Sequence, residues 1–128
     1  MSMTPVNNTY GVPEPFIWND SFAVFYENLD NEHKQLFQAV FALANENSEG
    51  SIKNLLDVTV NHFNDEEGMM VKNNYASYKD HKKMHDNFVA VLKSLKTSDV
   101  NEKILNWAKD WLVEHIKTTD FKYKGLLG

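Results

Sequence analysis

The chain has 128 residues, of which 42% are hydrophobic and 24% charged; this suits one ordinary domain with a core and excludes a disordered composition or two full domains. Its net charge of −5, from 13 basic and 18 acidic residues, comes with no basic cluster interleaved with aromatics, so nucleic acid is not an expected partner, and no run of about 20 apolar residues offers a membrane span. There is no cysteine, which excludes disulfides, iron–sulfur clusters and zinc fingers and leaves any metal with nitrogen and oxygen ligands.

The N-terminus, MSMTPVNNTYGVPEPF, lacks the basic start and the apolar segment of a secretory signal, so a cytoplasmic location is expected. All three prolines, Pro5, Pro13 and Pro15, fall before Phe16, which rules out regular helix or central strand there and predicts an extended arm. Residues 1–10 are expected to be a flexible extension. The apolar run of Ile17, Trp18, Phe22, Val24, Phe25 and Tyr26 predicts that the arm after Gly11 lies back over the core.

Four amphipathic patterns follow. From His33, the residues Leu36, Phe37, Val40, Phe41 and Ala44 recur at helical spacing, with Asp30 as the expected N-cap and Asn45 to Gly50 as the polar break. Ile52, Leu55, Leu56, Thr59, His62, Phe63, Glu66 and Met69-Met70 form a second stripe, and His81, His85, Phe88, Leu92 and Leu95 a third that ends at Thr97-Ser98-Asp99. The fourth runs through Ile104, Ala108, Trp111, Leu112, His115, Ile116 and Thr119 and ends near Asp120 and Gly125. With short polar links and no strand signal, the expected fold is all-α. It is an up-down-up-down antiparallel four-helix bundle over residues 11–128, with the extended N-terminal arm and a short C-terminal helical turn.

The apolar faces carry polar residues that require explanation, because a buried histidine or carboxylate must be paired, hydrogen-bonded or coordinated. A single buried histidine is more often a hydrogen-bonded core residue than a ligand. Here the pattern is joint: His33 from the first helix, His62 with Glu66 one turn on, His81 with His85 one turn on, and His115 with Asp120. The last pair is five residues apart, an awkward spacing on a straight helix that suits a carboxylate delivered from the helix end. Seven donors exceed one ordinary site and would serve two octahedral metals sharing bridging ligands. Five imidazoles and two carboxylates favour iron over magnesium or calcium, which prefer oxygen shells, and over a structural zinc, which needs four ligands. Two Fe(II) ions with a bridging hydroxide would convert two buried anions into a core of small positive charge. The metal-free chain is then expected to be less stable.

These segments, LDNEHKQLF at 29–37, NHFNDEEGMM at 61–70, HKKMH at 81–85, WLVEHIKTTDFKYKG at 111–125 and the arm PEPFIWNDSFAVFYE at 13–27, resemble those of the hemerythrin family, and specifically its monomeric myohemerythrins. The resemblance spans about residue 11 to the C-terminus. It implies a non-haem di-iron centre, with His81, His85 and His115 on one iron, His33 and His62 on the other, and Glu66, Asp120 and an oxo or hydroxo group bridging them. The iron with two histidines would keep an open position for dioxygen, held reversibly as a hydroperoxide, with small anions such as azide as competing ligands. The implied protein is a monomer for oxygen storage or transport and not an enzyme. The resemblance also puts Leu36, Phe63, Trp111, Leu112 and Ile116 around a dry oxygen pocket that keeps water and protons from releasing peroxide. Plain core packing explains Ile116 and Trp111 at least as well; the pocket role is favoured for Leu112 and Phe63.

Other residues invite milder readings. Glu67 is about 100° round the helix from Glu66 and is expected to be solvated. Met69-Met70 is expected to pack the core, Tyr75, Tyr78 and Tyr123 to be structural, and Lys82-Lys83 and Lys117, Lys122 and Lys124 to lie on solvated faces. The rival functions are a di-iron enzyme of peroxide or nitric oxide chemistry, an oxygen sensor and a metal store. Against an oxygenase stands the absence of any ExxH pair, and against a sensor the lack of an output domain.

Overall fold

The computed structural model describes residues 10–127. The extension expected over residues 1–10 therefore lies outside the described residues, apart from an exposed Tyr10. Four long helices dominate: α1 (Glu27–Asn45), α2 (Glu49–Lys72), α3 (Tyr78–Ser94) and α4 (Glu102–Glu114). Helix α4 runs on without a break into a π-helical turn (His115–Thr119) and a 3₁₀ turn (Asp120–Tyr123). No strand occurs among the described residues.

Local chemistry sets the boundaries. Ser48 caps α2 by accepting from the Ser51 N–H at 3.1 Å, and Asn101 caps α4 by accepting from the Ile104 N–H at 2.9 Å. The first helix differs from expectation. Asp30 is inside α1 and Tyr26 holds the cap position, while the Asp30 carboxylate reaches back to accept from the N–H groups of Val24 and Phe25 at 2.8 and 3.1 Å. That pair of hydrogen bonds holds Phe25 at φ +68°, a left-handed conformation rare for a bulky side chain, in a residue that is 78% exposed.

The arm does fold back, with Phe16, Phe22 and Val24 buried. The Phe16 ring stacks on Phe37 at 4.4 Å, and Lys34 covers Trp18 at 4.6 Å. Ile17 remains exposed.

The core is divided in two. A large cluster includes Phe22, Leu36, Phe37, Leu55, Phe63, Phe88, Leu112 and Ile116; a small one holds Val24, Leu29, Met70, Tyr123 and Leu127. On α1 the order is Leu29, His33, Leu36, whereas on α2 it is Phe63, Glu66, Met70. On α3 Tyr78, packed on the small cluster, precedes His81, His85 and Phe88, and on the last helical run Ile116 precedes Asp120 and Tyr123. The alternating order means that successive helices run in opposite directions. Each helix therefore contributes its polar residues to one belt between two apolar ends.

Candidate metal centre

All seven expected donors reach this belt, and all are buried: His33, His62, Glu66, His81, His85, His115 and Asp120 are between 0% and 6% exposed. Their donor atoms fall into two groups, each with its atoms within 4.8 Å of one another. One contains Glu66, His81, His85, His115 and Asp120, the other His33, His62, Glu66 and Asp120. Both carboxylates belong to both groups.

The distances show how they are shared. Glu66 Oε1 lies 2.8 Å from His81 Nε2 and 3.0 Å from His85 Nε2, whereas its Oε2 lies 3.1 Å from His62 Nε2. Asp120 Oδ1 lies 3.0 Å from His81 Nε2 and 3.1 Å from His115 Nε2, while its Oδ2 lies 3.1 Å from His33 Nε2. Each carboxylate thus directs one oxygen to the three-imidazole group and the other towards the group of two.

The donor set fits a pair of metal ions. The Nε2 atom of His115 lies 3.1 Å from that of His81 and 3.2 Å from that of His85, close to the separation of about 3 Å between neighbouring ligands at right angles with metal–nitrogen bonds of about 2.1 Å. His33 Nε2, Glu66 Oε1 and both Asp120 oxygens have close neighbours yet no hydrogen bond. Their lone pairs converge on common points instead of on one another, which for buried polar atoms calls for a cation.

Hydrogen bonds outside the belt orient two of the imidazoles. His62 Nδ1 donates to Glu32 Oε1 and His85 Nδ1 donates to Glu67 Oε2, both at 2.8 Å, leaving each Nε2 facing inward. Glu67 departs from the solvated position its helix angle predicts; it turns from α2 to α3, where Lys82 flanks it at 3.8 Å. The hydroxyl of Tyr123, fully buried, donates to Glu66 Oε2 at 2.9 Å, so this tyrosine also touches the belt directly. Tyr75 meets the edge of the Tyr123 ring, and both it and Tyr78 pack on the small cluster. Met70 is core, as expected, and Met69 packs beside it. Lys82 pairs with Asp86, Lys117 lies over Phe22 and Lys124 over Phe121, so these lysines line the surface in contact with neighbours.

The fourth helical run explains the awkward spacing. In an α-helix a residue five places on points about 140° away. Here the Asp120 N–H donates to the carbonyl of His115, five residues back, and this wider turn returns Asp120 to the face of His115.

Electrostatics of the metal-free chain follow from burial. Desolvation lowers the tendency of His62 to be protonated, but Glu66 and the bond to Glu32 outweigh it and raise the pKa to about 10. Burial likewise opposes protonation of His81, and Asp120 and Glu66 together carry it to about 9. Glu66 and Asp120 are held well below ordinary carboxylate values: burial pushes both upward, with Glu66 adding to that push on Asp120, but the surrounding imidazoles prevail. In His115 burial prevails and lowers the pKa. Protons therefore occupy the place that metal charge would take.

Apolar residues close the belt on one side. The Phe63 ring stacks on His85 at 3.7 Å and 2°, and the Trp111 ring stacks on His115 at 4.4 Å and 10°. Leu36, Leu112 and Ile116 are buried in the same cluster, whereas Trp111 is half-buried at its edge.

A four-helix bundle with two carboxylates shared between a three-histidine and a two-histidine group defines a helical, histidine-rich two-metal protein. The hemerythrin HHE cation-binding domain family matches residues 24–127, and the chain belongs to this family. It is 52% identical over 118 residues to one of the hemerythrin subunits of Sipunculus nudus, covering 92% of this chain and 98% of that one. It is 51% identical over 119 residues to myohemerythrin-1 of Phascolopsis gouldii, covering 92% and 99%. A solved structure of a leucine-to-phenylalanine mutant superposes with a TM-score of 0.78 at 30% identity, covering 86% of this chain and 95% of the other.

Proposed function

We propose that this chain is a carrier that binds dioxygen reversibly at a di-iron centre, and not an enzyme. The observation that carries the reading is the unequal division of the belt, in which two carboxylates each reach both a group of three imidazoles and a group of two. His81, His85 and His115 would hold one iron, His33 and His62 the other, with Glu66, Asp120 and an oxo or hydroxo group between them. Two iron ions so held would supply the two electrons of reversible dioxygen binding and one coordination position left open on the two-histidine side.

The remaining work belongs to the chain. Glu32 and Glu67 fix two imidazoles by holding their Nδ1–H, and Tyr123 orients Glu66. Leu36, Phe63, Leu112 and Ile116, with Trp111 at the rim, would line the pocket and exclude water. The family domain would extend over residues 11–128, beyond the matched residues 24–127, the working state would be a monomer in the cytoplasm, and small anions such as azide would compete for the open position. No helix among the described residues is long and apolar enough to cross a membrane.

The test is the absorption spectrum of the reduced, iron-loaded chain on exposure to dioxygen. A visible band that appears with dioxygen and vanishes under vacuum without consuming a reductant supports carriage. Irreversible bleaching, or turnover of a reductant, overturns it in favour of an oxidase or peroxidase.

A further inference from the structure

A column of aromatic rings runs outward from the centre. Trp107, Trp111 and His115 recur every four residues and form one stripe on the last helical run, with Phe88 of α3 inserted beside it. Trp111 stacks on His115 at 4.4 Å; Phe88 stacks on Trp111 at 4.0 Å and 15°; Trp107 stacks on Phe88 at 5.5 Å and 23°. Both indoles are half-buried. Filling a core calls for no such order, since aliphatic side chains would exclude water equally well. Indoles are among the most readily oxidised side chains, and here two of them lie between a ring that faces the belt and the outside of the bundle.

We propose that Trp111 and Trp107 form an escape route that carries oxidising equivalents from the centre to the protein surface. The inference rests on the di-iron reading above. A centre that lends two electrons to dioxygen yields hydrogen peroxide whenever protons arrive, and peroxide meeting the oxidised centre attacks its surroundings. Along the route, one peroxide molecule takes two electrons and two protons, its O–O bond breaks and two waters form. Each of two indoles supplies one electron and its N–H proton and becomes a neutral tryptophanyl radical, and the irons finish in the oxidation state in which they began. Each radical then takes one electron from a dissolved one-electron reductant such as ascorbate and one proton from water. Trp107, the outermost ring, is where this repair occurs, and Phe88 bridges the two indoles without being oxidised.

The experiment adds hydrogen peroxide to the iron-loaded, oxidised chain, with electron paramagnetic resonance of rapidly frozen samples and peptide mass mapping of oxidised side chains as readouts. The native chain is expected to give a tryptophanyl signal that ascorbate removes, with stable oxidation concentrated at Trp107. Trp107→Phe preserves a ring in the stack and should leave the dioxygen spectrum unchanged. In that variant oxidation should move inward to Trp111, Phe63 and His115, and repeated peroxide additions should bleach the centre severalfold faster. Trp111→Phe should abolish the signal at Trp107. Equal bleaching and the same oxidation map in the native chain and Trp107→Phe would overturn the proposal, as would a radical confined to Tyr123. Iron content and the dioxygen spectrum, read before peroxide is added, report separately on the di-iron reading.

Discussion

The backbone N–H of Asp120 donates to the carbonyl of His115, and the side chains of the same two residues meet at 3.1 Å between Oδ1 and Nε2. The π turn is equivalent to one residue inserted into an α-helix, so deleting Thr118 should convert it to regular helix with the two side chains one turn apart and still on one face. Such a deletion is expected to retain two irons per chain. Inserting one alanine after Lys117 should rotate Asp120 by about 100° and lose at least one iron. Iron analysis of the two variants, with helix content from circular dichroism, checks both.

Metal must displace protons from the belt. With His62 at about 10 and His81 at about 9, both are protonated at neutral pH in the metal-free chain, and loading should release on the order of two protons per chain. A pH indicator in weak buffer reads this release, and loading without any acidification would contradict it.

The same groups shape the acid and alkaline limits of the metal-free protein. His62 and His81 are raised, so the stability they contribute is complete below their ordinary value of 6.5 and is lost as pH climbs through about 9 to 10. Glu66 and Asp120 are lowered, so theirs is present above the ordinary values of 4.5 and 3.8 and is lost as pH falls further. Thermal unfolding of the metal-free chain should give a plateau between these limits, and the alkaline fall should vanish once metal replaces the protons.

Glu67 anchors His85 from a neighbouring helix. Glu67→Ala removes that anchor and should weaken metal retention by about 10- to 100-fold, measured by competition with a chelator. Glu67→Gln keeps an acceptor and should recover much of the loss.

Leu112 is buried beside the belt. Leu112→Asn should admit water and accelerate irreversible oxidation of the reduced centre, followed as decay of the oxygenated spectrum. An unchanged decay would reduce Leu112 to a filler of the core.

Phe25 occupies left-handed backbone and is a largely exposed residue. Phe25→Gly should relieve a strain of roughly 1–2 kcal/mol, partly offset by the greater freedom of glycine in the unfolded chain. A modest rise in melting temperature is expected.

The four helices and the seven belt residues were legible because helical period identifies the inward face, and polar residues on that face stand out. The family assignment was legible too, from the segments around those residues. Period does not say which neighbour a flanking side chain meets. Glu67 lies at the edge of its stripe, and its partner His85 is on another helix; Glu32 and Tyr123 likewise meet His62 and Glu66 only after the helices pack. The five-residue step to Asp120 did carry a signal: the carboxylate comes from the end of the helical run, and a widened turn that keeps the run continuous delivers it. Asp30 had the chemistry of a cap, yet it serves the strained residue before the helix.

The belt between two apolar clusters also bears on how the molecule comes apart. Val24, Leu29, Met70, Tyr123 and Leu127 form too small a core to stand alone, and without ions they are tied to the larger cluster by the helices themselves, by Phe121, which packs on both clusters, and by the proton-mediated contacts of the belt. Cooperativity is then a property of the loaded state. Hydrogen exchange of the metal-free chain should reveal an independent opening of this end, at a lower free energy than the rest, which metal abolishes by making the two ends unfold as one.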